Sequence, residues 1–505
     1  MRDDTRGRET HKEDVGVVRK DPKWIEKGPR PMLIGRDWRT GSEGKAFDVI
    51  SPMTNETITS IAQASAEDVD DAVRAARKAF DDGPWPRMTP NERADILAKI
   101  ARLFERERDR FAYLEAADMG KPIAGGYQHL AQGIFAWDYF AGKARDQSEQ
   151  FVRVAAGNHF NYRVHEPVGV VAEIIPWNGP AVAASQKLAG ILCTGNTVVL
   201  KPSVESTLSV LALGEVLLEA GLPEGVVNIV TGPGGAVGDA LLKHDGVNMV
   251  SLTGSVETGR HVMQLAGGGL KRVALELGGK NPNIVFGDAD LDAAAMWAGI
   301  AAFSNAGQVC VSGSRLLTQQ DVHDALVKRV VDGAKALVIG DPMDEQTQLG
   351  PLVSRKQRDR VLEYVKVGVA EGAKLVYGGD VPDDPALARG NFIRPAIFDD
   401  VRPDMRIARE EIFGPVLAVM RFGDETEALA LANGVDFGLA GAVWTRDLQR
   451  ALRVAGRIDA GQVYVNGYYS PAMSESPAVG HKKSGVGEAG YLKYTVPKTV
   501  FVRTQ

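Results

Sequence analysis

The sequence predicts an α/β protein with two doubly wound domains and a small β extension. Three observations carry that prediction. Between residues 168 and 253, short apolar runs alternate with helical segments, the signature of strands and helices layered on a parallel sheet. A second alternating series runs from about 272 to 467. Glycine-rich turns follow strands of the first series and open its helices. At 505 residues the chain also exceeds what one core sustains, roughly 250–300 residues.

Met1 to Lys20 is dense in alternating charges, so residues 1–30 are expected to form a disordered tail. Met32 to Gly35 and Phe47 to Ile50 read as strands. A helix follows, with Ser65 as its cap and Ala72, Val73, Ala76 and Phe80 on one face. One long helix is expected from Asn91 to Ala117, because Ile96, Leu97, Ile100, Leu103 and Phe104 recur at helical spacing. The first alternating series then gives strands at Val168 to Ile175, Thr197 to Leu200, Val226 to Val230 and Met249 to Thr253. Its helices are Ala184 to Leu192, Leu208 to Ala220 and Gly238 to His244. In the second series the strands include Asn283 to Phe286, Leu417 to Phe422, Ala440 to Trp444 and Val463 to Asn466, with helices at Leu291 to Asn305 and Arg355 to Ala370. Period-two alternation at Phe151 to Val154 and the strand-like Thr499 to Val502 belong to neither series and are expected to form the extension.

Composition narrows the function. The net charge of −6 argues against a general nucleic-acid surface. No segment approaches the roughly 18 uninterrupted apolar residues of a membrane helix. The N-terminus lacks the apolar core of a signal peptide. Two cysteines, Cys193 and Cys310, make no disulfide framework and suit a reducing, cytoplasmic compartment.

Cys310 lies among Asn305, Gly307, Gln308, Ser312 and Gly313 rather than in an apolar run. A reactive thiol needs such access and room, whereas a structural one is packed among apolar neighbours. Two glycine turns, Gly232 to Gly238 and Thr253-Gly254-Ser255 with Gly259, follow strands and open helices, where free N–H groups and the helix dipole attract phosphate. Lys201, with Pro202 and Ser203, ends a strand, at the edge that faces the ligand crevice in doubly wound sheets. Glu276 closes an apolar run before Gly278 and Gly279, where desolvation would make it a base near neutral pH. Asn178 follows Pro176 and Trp177 at a strand end, with an amide suited to an oxyanion. Each has a structural alternative when taken alone: a core cysteine, ordinary βα turns, a solvated lysine, a paired glutamate, a turn asparagine.

Together these segments resemble the aldehyde dehydrogenase superfamily, hydrolytic and NAD(P)-dependent. The resemblance rests on Pro176-Trp177-Asn178, Lys201-Pro202-Ser203, Thr253-Gly254-Ser255 with Gly259, Glu276 to Lys280, the Cys310 segment, Glu410 to Pro415, and Asn466, in that order over roughly residues 45 to 500. It implies that Cys310 is the nucleophile, that Asn178 and the Cys310 backbone N–H form the oxyanion hole, that Glu276 activates the deacylating water, and that Lys187 assists proton movement. It implies a dinucleotide held by Pro176, Trp177, Lys201, Ser203, Gly234, Gly238, Thr253, Gly254, Ser255, Gly259, Leu277, Gly278, Glu411 and Phe413. It implies no metal, a small-molecule aldehyde as substrate, and a homo-oligomer, dimer or tetramer. The domains are then a Rossmann-like cofactor domain (31–141 and 167–274), a catalytic domain (275–470) and oligomerisation elements (142–166 and 480–505).

The chain departs from the family pattern in several places. Many NAD-preferring relatives carry a glutamate where Val204 stands, so NADP stays open beside NAD. Gly179 and Ala478 are small where relatives for small aldehydes often have aromatics; with Val309 and Val311 flanking the cysteine and Tyr468 and Tyr469 expected to line the entrance, they suggest a wide pocket for a bulky or aromatic aldehyde. The stretch Ser484 to Gly490 is shorter than in many relatives. A CoA-acylating enzyme and a non-catalytic binding protein are the rival readings; Glu276 argues against the first, and the joint presence of Cys310, Asn178, Glu276 and Glu411 against the second.

Overall fold

The computed structural model describes residues 25, 27–146, 148–154, 157–470 and 474–504. Most of the expected N-terminal tail lies outside these residues. Its last residue does not: Arg30 already pairs through its backbone with Ser60 and Ala62.

An eight-stranded sheet organises the first part of the chain. Its five inner strands, in spatial order Val227–Ile229, Thr197–Lys201, Val170–Ile174, Met249–Thr253 and Arg272–Glu276, are parallel. All of Thr197–Lys201 and Val227–Ile229 is buried, as strands covered by helices on both faces must be. The chain runs outward from Val170–Ile174 to one side and returns to build the other side from Met249–Thr253. The gap between these two strands is the topological switch point, where open α/β sheets bind ligands beyond the strand carboxyl ends. Met32–Ile34 and Asp37–Arg39 extend one edge antiparallel, and Gly485–Val486 closes the other. The stretch 480–505 is therefore not one element: its start completes this sheet, and its end, Thr495–Arg503, joins a different one.

A seven-stranded sheet organises the second part, ordered Lys374–Tyr377, Ala396–Asp399, Val416–Phe422, Arg315–Gln319, Pro282–Val285, Ala440–Trp444 and Gln462–Val465. Only Lys374–Tyr377 runs antiparallel to its neighbour. The three-stranded extension pairs Gln150–Arg153 with His159–Pro167, and the latter with Thr495–Arg503.

Helix ends follow local chemistry. Ser65 and Asp68 form a reciprocal capping box on Ala66–Asp81. The long helix expected over Asn91 to Ala117 is broken instead: Pro90–Arg106 ends and Arg108–Met119 begins around Glu107, whose φ of −90° and ψ of 10° leave the helical region. The 23-residue helix Ile123–Arg145 has no clear sequence signal. Gly125, Gly126, Gly133 and Gly142 depress its propensity. One of them is a packing device, since a Cβ on Gly133 would come within 3.2 Å of the Phe104 ring and 3.4 Å of Ser185.

The carboxyl edge of the first sheet meets the amino edge of the second. Arg272–Glu276 is the last inner strand of one and Pro282–Val285 the first strand of the other, so residues 277–281 bridge them. That bridge carries the site.

Candidate active site

Cys310 sits in a tight turn just before strand Arg315–Gln319, at the amino edge of the second sheet. The turn is reached through three consecutive left-handed residues, Asn305 (φ 52°), Ala306 (φ 54°) and Gly307 (φ 70°). A Cβ on Gly307 would lie 2.2 Å from the Gly414 carbonyl oxygen, so glycine is required there by both φ and space. Non-glycine residues in this region cost energy and persist where the surroundings fix them. Here Gln308 does the fixing: its Nε2 donates to the Asn305 carbonyl (3.1 Å), and its Oε1 accepts from Val353 N (3.0 Å).

The bridge holds the cysteine from the other side. Asn281 Nδ2 donates to the carbonyls of Cys310 (2.9 Å) and Ser312 (2.8 Å), while its Oδ1 accepts from Ala440 N (2.9 Å). A Cβ on Gly279 would come within 2.6 Å of the Cys310 carbonyl oxygen. From the first sheet, Asn178 Nδ2 donates to the Gln308 carbonyl (2.8 Å), and Asn305 Nδ2 donates back to the Asn178 carbonyl (3.1 Å). The asparagine after one strand and the loop before another are thus tied together across the sheets. An amide nitrogen has two N–H groups, and one bond to Gln308 leaves the second for a ligand.

Cys310 is electrostatically coupled to both Glu276 and Glu411. Burial pushes its thiol up to about 12, and the two carboxylates add to the shift. Burial also raises the Glu276 carboxyl, with Lys187 and then Lys493 partly opposing it. Glu411 is pushed up to about 7 by burial against the hydrogen bond from Gly279 N (3.1 Å). A Cβ on Gly278 would fall 1.9 Å from Glu411 Oε2, so the double glycine seats this carboxylate. Beside it Phe413 takes φ 61° and packs edge-on against Trp177, ring centres 5.2 Å apart.

At the other end of the crevice Lys201 is buried, 4% exposed, and donates to the neighbouring Pro202 carbonyl (3.2 Å). Burial lowers its ammonium to about 8, against the pull of Glu205. Gly238 stands over it, with 3.9 Å from an added Cβ to the lysine stem. Ser255 caps helix Val256–Gly268, its Oγ accepting from Thr258 N (3.1 Å). Gly254 N donates to the Glu276 carbonyl (3.0 Å), and Thr253 Oγ1 is buried without a partner. Gly259 gives room to Leu277, 2.8 Å from an added Cβ, and Leu277 N donates to Ser484 O. Added Cβ atoms on Gly234 and Gly235 would meet nothing within 4 Å, so that turn is open. Ser203 spends its hydroxyl on Glu205.

The expected substrate pocket needs correction in two places. Tyr468 does not line an entrance: it is 1% exposed, and its hydroxyl donates to the Val311 carbonyl (2.8 Å), bracing the cysteine loop from below. Gly179 does not widen the pocket either. A Cβ there would lie 2.5 Å from His129 Cε1, so the glycine makes room for a histidine. Val309, Val311 and Tyr469 do gather around Cys310, together with Leu439 and Tyr464. Ala478 is half-buried and stands outside that cluster.

Sequence reasoning missed Lys493 and Glu173. Glu173 faces the same side of the sheet as its register partner Ser251, and it is fully buried. Lys187, Lys493 and Glu276 all act on it electrostatically. The only sequence signal was a charge inside an apolar strand run. Lys493, on the turn Tyr491–Tyr494 that packs against helix Pro180–Cys193, is lowered to about 8 by burial, with Lys187 adding and Glu276 opposing.

Comparisons with known proteins show the family. A family model described as "Aldehyde dehydrogenase family" matches residues 38–502. The chain belongs to the aldehyde dehydrogenase family. It is 40% identical over 478 residues to a betaine aldehyde dehydrogenase of Bacillus subtilis, covering 94% of this chain and 97% of that one. It is 42% identical over 480 residues to retinal dehydrogenase 2 of Gallus gallus, covering 94% and 91%. Among solved structures it is similar to a betaine aldehyde dehydrogenase from Staphylococcus aureus in complex with NAD+ (36% identity, TM-score 0.93, 95% and 96% covered). It is equally similar in fold to an NAD-dependent aldehyde dehydrogenase from Sinorhizobium meliloti (41% identity, TM-score 0.93, 96% and 97% covered).

Replacing Lys493 by Met removes a positive neighbour that favours ionised Glu276. The glutamate's pKa then rises further, and the acid limb of the turnover pH profile moves to higher pH. An unmoved limb in kcat against pH refutes this coupling.

Proposed function

We propose that this protein is a hydrolytic, NAD-dependent aldehyde dehydrogenase that converts an aldehyde to a carboxylic acid through a thioester on Cys310. The observation that carries the reading is the bond from the Asn178 amide to the Gln308 carbonyl, which brings an oxyanion donor to the loop of the one half-exposed cysteine. The residues present fit a dinucleotide: a buried lysine with N–H groups to spare, an orphaned threonine hydroxyl beside a capped helix start, an open glycine turn, and, at the far end, a carboxylate two residues from Phe413, whose ring packs on Trp177. Lys201, and Ser203 through the acceptor lone pairs its hydroxyl keeps, would hold the adenosine ribose, Gly234, Gly238, Gly254 and Ser255 the pyrophosphate, and Glu411 with Phe413, Trp177 and Pro176 the nicotinamide end. Glu205 supports NAD over NADP, because its carboxylate lies close enough to act on Lys201 and would repel a 2′-phosphate.

Cys310 Sγ attacks the aldehyde carbon, and the charge that forms on oxygen is met by Asn178 Nδ2–H and the Cys310 backbone N–H. NAD, when bound, supplies the hydride acceptor and a positive charge that offsets the carboxylates beside Cys310. The acyl group remaining on sulfur is a thioester. Glu276 takes a proton from water, the water oxygen attacks the acyl carbon, and the C–S bond breaks to release the acid and the thiolate. Lys187 and Lys493 hold positive charge beside Glu276 and keep the proton it acquires mobile.

The same reading assigns residues 31–141 and 167–274 to the cofactor and 275–470 to the cysteine. It gives assembly to the three-stranded sheet. That sheet exposes Phe151 (63%) and Phe501 (74%), apolar surface that supports a homo-oligomer.

Cys310→Ala abolishes NADH production while leaving NAD binding, read by quenching of protein fluorescence; retained turnover refutes the nucleophile. Glu276→Gln slows release of the acyl group by a hundredfold or more, on the order of a lost general base. A pre-steady-state burst of NADH followed by a slow phase is the expected trace, and an equally slowed burst counts against the base. Phe501→Asp shifts the protein to a smaller species in analytical ultracentrifugation, whereas an unchanged mass excludes this sheet as the interface.

A further inference from the structure

Gly179 follows the oxyanion asparagine directly, and the space above it belongs to His129 of helix Ile123–Arg145. An added Cβ would lie 2.5 Å from His129 Cε1, 3.4 Å from Nδ1 and 3.5 Å from Nε2, so the imidazole is pressed against the backbone beside Asn178.

The ring's neighbours fix its chemistry. Lys121 Nζ lies 2.9 Å from His129 Nδ1. Lys121 is itself 5% exposed and paired with Glu115, which is fully buried. Glu115 Oε1 in turn accepts from Ala181 N (2.9 Å), in the first turn of the helix that Gly179 opens. An ammonium has donors only, so Nδ1 must accept. A neutral imidazole that accepts at Nδ1 carries its proton on Nε2. Burial, with Lys121 adding, holds the ring far below its ordinary pKa, which keeps it in that neutral form. Among the described residues nothing accepts from Nε2, and it is not among the buried unpartnered atoms. The result is an oriented N–H donor, one residue from the oxyanion amide, with its supporting charges internally compensated.

We propose that His129 is a specificity-determining residue of this enzyme, whose Nε2–H donates to an uncharged oxygen, a hydroxyl or carbonyl, borne by the aldehyde close to its reacting carbon. The inference rests on the aldehyde dehydrogenase reading above. It favours oxygenated aldehydes over hydrocarbon ones of the same shape. It disfavours a cationic group at that position, because an N–H donor offers a cation no acceptor. The ring is half-buried, so water replaces a missing acceptor and discrimination stays near that of one neutral hydrogen bond, about five- to tenfold.

Two isosteric pairs test this: 2-hydroxypropanal against 2-methylpropanal, and 3-hydroxybutanal against 3-methylbutanal. kcat/KM with NAD is measured for wild type, His129→Leu and His129→Gln. The ratio of hydroxy to methyl substrate should fall about five- to tenfold in His129→Leu for at least one pair, and be partly restored in His129→Gln, which keeps an N–H. Comparing ratios between proteins cancels the different hydration of the aldehydes. A ratio unchanged across the three proteins for both pairs overturns the role of His129. If His129→Leu does not fold, the comparison of wild type with His129→Gln and Gly179→Ala, whose new methyl displaces the ring, decides instead, and equal ratios there overturn it. A wild type that oxidises none of the four aldehydes, nor any of a wider aldehyde panel, refutes the parent reading.

Discussion

Residues 277–281 are the constraint on which the rest of the site depends. They join the carboxyl edge of one parallel sheet to the amino edge of another, and at Gly278 and Gly279 no side chain fits. Gly278 leaves room for the Glu411 carboxylate, and Gly279 leaves room for the Cys310 carbonyl. Asn281 then makes three hydrogen bonds that hold the cysteine loop and strand Ala440–Trp444 in register. A substituted glycine in this bridge would push apart the acid, the thiol and the cofactor end together. The close approach also explains why elements far apart in sequence act as a unit here.

That closeness has an electrostatic consequence. Glu276, Glu411, Lys201, Lys493 and Cys310 are all desolvated, and burial is the largest cause of each shift. Desolvation pulls carboxyls up and ammonium groups down, so groups that are normally far apart on the pH scale approach neutrality together. A base gains from a raised pKa, because it then lies nearer the operating pH. The thiol is the exception, since two carboxylates and burial all act against its ionisation. Its reactivity therefore depends on what binds beside it rather than on the polypeptide alone.

The Glu115–Lys121–His129 line shows the same logic on the substrate side. A buried ion pair is costly unless its remaining donors and acceptors are used. Here Glu115 also takes a helix N–H, and Lys121 also meets a histidine nitrogen. The pair thereby fixes the tautomer of a ring packed over Gly179, the residue after Asn178.

Much of this protein was legible from its sequence because the signals were local. Strand–helix alternation, glycine turns after strands, and a cysteine, a glutamate and an asparagine in polar or glycine-rich settings depend only on near neighbours, and they located both sheets and the residues that the fold gathers around the bridge. The helix Ile123–Arg145 was not legible, because its glycines lower propensity and its stability comes from packing against Phe104 and Ser185. The break at Glu107 was equally hidden, since the apolar spacing runs straight through it. Gly179 looked like empty space, and Tyr468 like an entrance, because sequence records a residue's size but not what fills the volume beside it. The partners of Glu276 were out of reach for a related reason: Lys493 lies over 200 positions away and arrives only when the C-terminal turn folds onto helix Pro180–Cys193. Sequence by itself determined which chemistry this chain carries. Tertiary structure alone decided which charges surround each reacting group and which side chain occupies each gap, because those depend on contacts between residues that no local pattern relates.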